Sequence, residues 1–466
     1  MLLTAEQIET YQRDTEQLLE QTGFRVLHAG LRARAAAAGA DVDEGGQRVR
    51  LPPALLRHLL ATAPKQYQVE GPTGRSWTVG GGQRHVLAIV TDPWIVDSQS
   101  QQLRRPCLAD VIRHTQIAQE LPEVAALSLM DYPVADCPGP QSSLQAMAAF
   151  VLAHDKHTVV MAPGPERLCL WLRLADTMRA AGAVGARPLS AGVAVLSPLT
   201  LSEANGRLLE LSCEHGLPVI PTVCPIAGIT APFSRAGALL QANAEVVFLA
   251  AMTQILRPGH PFLYISGLSR ADMRDGADLY YTLDKVHWKL AAAQLGLAYG
   301  LPTGAECGGT ATATDGLQSG AEAMLFMQAA WDSGAHWLSG LGSCGNAVCM
   351  SAEMMLVQAA FLRAARFLGQ GLTVPTAADR EALRRRGPGA QFLDDELTLA
   401  HLRSGEFFAD RLFDEGADPR GSRSMRARAH EWAAELTGGA RSPWAPAQAE
   451  RIQRFFAAEL AAGAGS

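Results

Sequence analysis

Between residues 85 and 369 the chain alternates, eight times, a short apolar run with a longer stretch whose apolar positions recur every three or four residues. The short runs are "HVLAIVT" (85–91), "ALSLMDY" (126–132), "TVVMAP" (158–163), "AGVAVLS" (191–197), "PVIPTVC" (218–224), "PFLYISG" (261–267), "TGAECGG" (303–309) and "HWLSGLG" (336–342). They are apolar almost throughout, as strands are when helices cover both faces of a parallel sheet. The longer stretches predict helices over 109–120, 141–154, 165–182, 202–215, 235–257, 279–299, 317–333 and 353–368. Local punctuation agrees. Thr200 and Glu203 fit a capping box, Gly216 and Pro218 a helix stop, and Ser234 an N-cap. Eight such units in about 285 residues predict an α/β fold, a (β/α)8 TIM barrel. An open doubly wound sheet is the rival, but no glycine-rich phosphate fingerprint follows the first run.

The flanks do not share this rhythm. Residues 1–80 predict an amphipathic helix, a strand pair around "DVDEGGQRVRLP" and a helix "PALLRHLLATAP", together an N-terminal α+β subdomain packed on a barrel of residues 81–370. Residues 371–466 predict a charged helical extension, broken at "RRRGPGAQ", "EGADPRG" and "TGGARSPWAP".

Composition narrows the partners. A 466-residue chain that is 48% hydrophobic and 18% charged is ordinary globular protein. Its formal charge of −6 argues against nucleic acid or an anionic membrane, and the run Arg384 to Arg386 reads as a solvated helix end. The N-terminal stretch is polar-amphipathic, without a leader pattern, and no stretch is expected to span a membrane. Eight cysteines without CxxC spacing predict reduced thiols and a cytoplasmic protein.

In such a barrel the chemistry lies at the strand C-termini. Those positions here include Asp92, Trp94, Asp131, Tyr132, Cys224, Tyr264, Glu306, Cys307, Cys344 and Asn346. Acidic and aromatic side chains gather there, and no strand end offers a lysine for a Schiff base or a histidine for a Ser-His-Asp hydrolase. Rings and carboxylates together suit a quaternary ammonium, which donates no hydrogen bond and is held by ring faces and negative charge. Trp94 and Tyr132 have an alternative as core caps, and Asp92 and Asp131 as loop caps. Glu306 is harder to explain that way, because a carboxylate on an apolar strand needs a partner or a task. Cys224, Cys307 and Cys344 leave open a zinc-thiolate site, against the commoner buried thiol.

The segment "PIAGITAPFSRAGALLQANAEVVFLAAMTQILRPGHPFLYIS" (225–266) resembles the Pro-Ala-Gly-Thr-Ala-Pro loop and Asn-Ala-Glu helix of the trimethylamine methyltransferase (MttB-like) superfamily. "YGLPTGAECGG" (299–309), "QSGAEAM" (318–324), "RRGPGAQFLDDELTLAHLRSGEFFADRL" (385–412) and "GADVDEGGQRVRLPPALL" fit too. The resemblance implies a TIM barrel that moves a methyl group from a methylated amine to the Co(I) of a separate corrinoid protein. With no non-standard residue, the sequence is similar to the non-pyrrolysine branch, which implies a quaternary amine such as glycine betaine as substrate. One stretch departs from the pattern: the expected Thr-Asp-x-Lys reads "TATATDG", keeping Asp315 without a lysine. On this reading Glu306 positions the substrate, and Asp92, Trp94, Asp131, Tyr132, Tyr264, Cys307 and Asn346 bind it. The loop of Pro225, Gly228, Thr230 and Pro232 forms a wall of the site or the docking surface for the corrinoid-binding methyl carrier. Asn243 and Glu245 are expected to anchor their helix or a subunit interface. The corrinoid travels on the partner, the chain itself holds no metal, and a homo-oligomer is expected. The alternatives are a protein that binds a methylated amine or a corrinoid protein without turnover, and a zinc-dependent methyltransferase to a thiol.

Overall fold

Seven parallel strands make the central sheet, in the order Val219–Thr222, Leu189–Ala194, His157–Val160, Val124–Leu129, His85–Thr91, Trp337–Leu341, Gly304–Glu306. They are seen in a computed structural model that describes residues 2–463 apart from 98–99, 138, 184, 186–187, 403, 415, 417–420 and 422. The first and last apolar runs lie side by side, Trp337 opposite His85. The run at 261–267 departs from expectation. It forms no extended ladder, only single parallel bridges from Phe262 to Val219 and from Tyr264 to Thr303. Leu263 N donates to Val219 O at 3.0 Å, and Gly304 N donates to Tyr264 O at 2.8 Å, so this segment touches both edge strands.

The helices follow the strands nearly as the apolar periodicity predicts: Leu108–Glu120, Ser142–Leu152, Pro165–Ala180, Glu203–Glu214, Arg235–Leu256, Asp284–Ala298, Leu317–Asp332 and Ala352–Leu368. The largest discrepancy is at 279–283. Asp278–Leu279 pairs with Ser269–Ala271 as a short strand, and the helix starts only at Asp284. That late start leaves Tyr280 and Tyr281 in a turn above the sheet's C-terminal edge.

The opposite edge is closed by a hairpin that the sequence reading did not anticipate. Gln66–Glu70 pairs antiparallel with Ser76–Gly80. Tyr67, Val69 and Val79 from this hairpin join Leu87, Ala126, Val159, Ile220, Leu263, Ile265 and Trp337 in one buried cluster. Val219–Thr222 at one end of the sheet and Trp337–Leu341, one strand in from the other end, both contribute, so the sheet curls around that cluster. His157 Nδ1 sits 2.8 Å from Glu70 O and ties the hairpin to the strand start.

The N-terminal elements are as expected in kind. Asp41–Asp43 and Arg48–Arg50 form the anticipated strand pair, extended by Phe24–Val26 and, in parallel, by Thr200–Leu201 from the loop after Leu189–Ala194. The Phe24 ring stacks on Phe248 with centroids 4.1 Å apart. Phe248 belongs to Arg235–Leu256, which corrects the expectation of no membrane-length stretch: this helix is long and apolar enough to cross one. Its faces are covered instead by Ala5–Gln21, Pro53–Thr62 and neighbouring helices, and burial on all sides demands an all-round apolar helix. At the C-terminus, Met425–Gly438 packs on Ala352–Leu368, and Pro446–Gly463 on Ser142–Leu152 and Pro165–Ala180. The arginine run is neutralised locally: Arg385 and Arg386 both reach Asp395, and Arg384 reaches Glu381. The expected break "EGADPRG" lies largely outside the described residues.

Candidate active site

Strand alternation decides which side chains can meet at the C-terminal edge. In Gly304–Glu306, Ala305 and the following Cys307 pack into the helix-covered core, so Gly304 and Glu306 face the other way. A Cβ at Gly304 would stand 2.9 Å from Ile265 Cδ1, which belongs to the inner cluster. Glu306 therefore points inward, above that cluster. Its Oε1 accepts a hydrogen bond from Tyr280 OH at 2.6 Å, and its Oε2 lies 2.9 Å from Lys285 Nζ. The ammonium is also 3.0 Å from the Tyr280 ring centroid and 5.5 Å from that of Tyr281. Lys285 is only 2% exposed, and its contact with Glu306 is an ion pair without hydrogen-bond alignment.

Glycines make room for this group. A Cβ at Gly267 would sit 2.4 Å from Tyr280 OH and 2.9 Å from Cys224 Sγ, and one at Gly309 would sit 2.2 Å from the Tyr281 ring. Burial pushes both tyrosine hydroxyls well above their ordinary range, so Tyr280 stays protonated and donates. Cys224 joins the edge of the group, its sulfur 3.9 Å from Tyr280 OH. It opens to solvent on one side, but the surrounding protein pushes its thiol up to about 11.

The other sequence candidates fall elsewhere. Tyr264 points outward into the helix layer, 1% exposed, and its hydroxyl donates to Asn243 Oδ1 at 2.7 Å; it offers no ring face to the site. Cys307 is fully buried on that outward side, its thiol pushed up to about 12 by desolvation. A thiolate cage shared with Cys224 would require it to turn through the strand. Asp131 is neutralised by Arg167, whose Nε lies 2.8 Å from Oδ2. Asp92 is buried, accepts a 3.4 Å bond from Ser343 Oγ, and is raised well above the carboxylate range by desolvation, so it supplies little negative charge. The Trp94 ring already carries the Arg105 guanidinium, 4.0 Å from its centroid. Tyr132 is 38% exposed near Asp92. Asn346 holds the site by its backbone: its Oδ1 accepts from Tyr280 N and Tyr281 N at 2.7 and 3.2 Å, and its Nδ2 donates to Asp278 O at 2.6 Å. Among the described residues no group of three His, Cys, Asp or Glu side chains is gathered as for a metal ion.

The expectation of a lysine-free site is corrected. Lys285 and Lys289 both project from Asp284–Ala298, one turn apart. A count of strand ends misses them, although two lysines at i, i+4 beside the buried Trp288 are the signal that could have found them. Lys289 Nζ lies 4.6 Å from the Phe326 centroid, makes no hydrogen bond, and is lowered by burial to about 8. Below pH 8 folded and unfolded chains both hold that proton, and the folded state carries the full desolvation penalty. Between pH 8 and 10.5 only the unfolded chain keeps it, so the penalty fades as pH rises. Lys289→Met is expected to stabilise the protein by about 3 kcal/mol at pH 7 and about 1 kcal/mol at pH 10. Urea unfolding of both proteins at the two pH values checks this.

The family model for trimethylamine methyltransferase (MTTB) matches residues 1–463. The chain belongs to this family. Like its relatives, it is a methyltransferase. The glycine betaine methyltransferase of Desulfitobacterium hafniense is 24% identical over 421 residues, covering 89% of this chain and 87% of that one. Trimethylamine methyltransferase MttB of the same species is 22% identical over 445 residues, 92% and 88% of the two chains. The proline betaine:corrinoid methyltransferase of Eubacterium limosum is 30% identical over 133 residues, 28% of this chain and 27% of that one.

In this methyltransferase the Asn-Ala-Glu helix is an anchor. Asn243 Nδ2 donates to Thr15 Oγ1 at 2.7 Å and to Tyr299 OH at 3.0 Å. Glu245 accepts from Ser197 Oγ, Leu199 N and Gln241 Nε2 at 2.7, 3.0 and 2.9 Å, fixing the loop after Leu189–Ala194. The Pro225 to Pro232 loop folds on itself. Thr230 Oγ1 accepts from Ile226 N at 2.8 Å, and Gln241 Nε2 donates to Thr230 O at 2.7 Å. Gly228 has φ +98°, and a Cβ there would stand 2.8 Å from Met273 Sδ and 2.9 Å from the Phe233 ring. The close approach that this glycine permits is thus to the chain's own side chains. Ile229, Phe233 and Met273 are left 54%, 62% and 61% exposed at the tip.

Proposed function

We propose that this methyltransferase takes a methyl group from a quaternary, betaine-like amine and passes it to the Co(I) of a partner corrinoid protein. The observation that carries this reading is the Tyr280–Glu306 pair, a ring face and a carboxylate that already hold one organic ammonium, that of Lys285. A quaternary nitrogen asks for the same two groups and for no hydrogen-bond acceptor of its own. The relatives named for glycine betaine and for proline betaine with corrinoid support the substrate and acceptor classes.

The reduced corrinoid supplies a nucleophile strong enough for in-line displacement at the methyl carbon. This chain needs no general base, because the amine leaves neutral with the electron pair of the broken C–N bond. Its residues hold the N–CH3 axis and exclude water, which is catalysis by positioning. The fold is read as a closed eight-stranded barrel. The bridges of Phe262 to Val219 and of Tyr264 to Thr303, beside the two edge strands, support closure, and the inner cluster shared by Ile220, Leu263, Ile265 and Trp337 supports it too. The exposed tip of Ile229, Phe233 and Met273 is the docking surface proposed for the corrinoid protein. A reducing cytoplasm is the matching compartment.

The test is anaerobic incubation with cob(I)alamin or a cognate corrinoid protein and a panel of methylated amines. The expected result is loss of the Co(I) absorption together with one equivalent of demethylated tertiary amine by NMR. Binding of an amine without either change would leave a binding protein in place of this activity.

A further inference from the structure

The cation seat is occupied by the protein itself. Lys285 reaches from the first turn of Asp284–Ala298 and places its ammonium against both Tyr280 and Glu306. The start of that helix is pinned, since Arg270 Nε donates to Asp284 Oδ2 at 2.9 Å. The lysine stem beyond the pinned backbone has four rotatable bonds. Two cations cannot share one carboxylate and one ring face, because like charges a few ångströms apart in a poorly solvated site repel strongly. An arriving quaternary ammonium must therefore displace the lysine head.

We propose that Lys285 is the resident cation of the substrate seat: a quaternary ammonium takes its place on Tyr280 and Glu306, and the displaced ammonium pairs with an anionic group of the same ligand. This rests on the methylated-amine reading above. It makes Lys285 the residue that sets specificity. A zwitterion brings the counterion that the displaced lysine needs. A plain tetraalkylammonium brings none, and strands a second cation beside Lys289 in a buried setting. Glu306, with one charge, cannot serve both cations. A carboxylate on the ligand pairs with the displaced Lys285 ammonium instead.

The experiment titrates wild type and Lys285→Met calorimetrically with glycine betaine, proline betaine, carnitine and tetramethylammonium. Wild type is expected to bind at least one of the zwitterions and to prefer it over tetramethylammonium by about tenfold or more. In Lys285→Met the seat is vacant and the anion partner gone, so tetramethylammonium tightens, the zwitterion weakens, and their affinity ratio falls by about tenfold or more. A ratio that moves less than this overturns the role of Lys285 and leaves the amine reading standing. A wild type that binds none of the four overturns the amine reading itself. If Lys285→Met does not fold, Lys285→Gln, neutral and of similar length, gives the same comparison.

Discussion

Glu306→Ala is expected to destabilise the protein by about 3 kcal/mol or more, and Glu306→Ala combined with Lys285→Met is expected to recover most of that loss. The pair is nearly buried, with side chains 2% and 14% exposed for lysine and glutamate. Removing the carboxylate leaves an ammonium against an aromatic ring with no counterion, and it also takes away the acceptor for Tyr280 OH. Removing both charges leaves an apolar gap, which costs less than an unpaired buried cation. Urea unfolding of the four members of the cycle measures the coupling. If Glu306→Ala alone costs under about 1 kcal/mol, then the lysine finds water and the seat is wetter than its burial indicates.

Gly308→Ala is expected to be at least as damaging, about 3 kcal/mol or more, with misfolding as the extreme result. A Cβ at this position would stand 1.8 Å from Gly340 O and 2.5 Å from its carbonyl carbon. Those are backbone atoms, so no side chain can swing aside. Relief requires parting the ends of Gly304–Glu306 and Trp337–Leu341, the first of which carries Glu306. The matched control is Gly320→Ala in Leu317–Asp332, where an added Cβ meets nothing within 4 Å. There the gain in helix propensity is expected to stabilise by about 0.5–1 kcal/mol. Circular dichroism during denaturation compares the two, and equal stability of Gly308→Ala and wild type would refute the close approach.

The regular part of the fold was open to reading because its signals are redundant. Leu108–Glu120 and Leu317–Asp332 fall within one residue of the periodicity, since each carries several apolar positions that agree. The phase of a single strand has no such redundancy. In "PFLYISG" every residue from Phe262 to Ile265 is apolar or aromatic, so nothing in the sequence says that Leu263 and Ile265 face in while Tyr264 faces out. The same ambiguity put Cys307 beside Glu306 in the expected site, although adjacent residues of a strand point to opposite faces. Glu306 was legible as a carboxylate out of place. Its partners were not, because Tyr280 and Lys285 come from a turn and a helix start, and those positions depend on a helix beginning five residues later than its apolar pattern. Trp94 and Asp131 were legible as residue types, but their arginine partners, Arg105 and Arg167, are tertiary facts.

The hairpin of Gln66–Glu70 and Ser76–Gly80 packs on the apolar cluster below Glu306, so the barrel interior is plugged from that side and Glu306 is reached only from the strands' C-terminal side. Under the proposed chemistry two guests of very different size share one doorway, and a shared doorway imposes a queue. The small amine would have to be seated before the bulky acceptor covered the opening. The demethylated product would then wait behind the acceptor until that acceptor departed. Turnover would follow the residence time of the larger guest, and excess acceptor protein would slow the enzyme by blocking the door ahead of the amine.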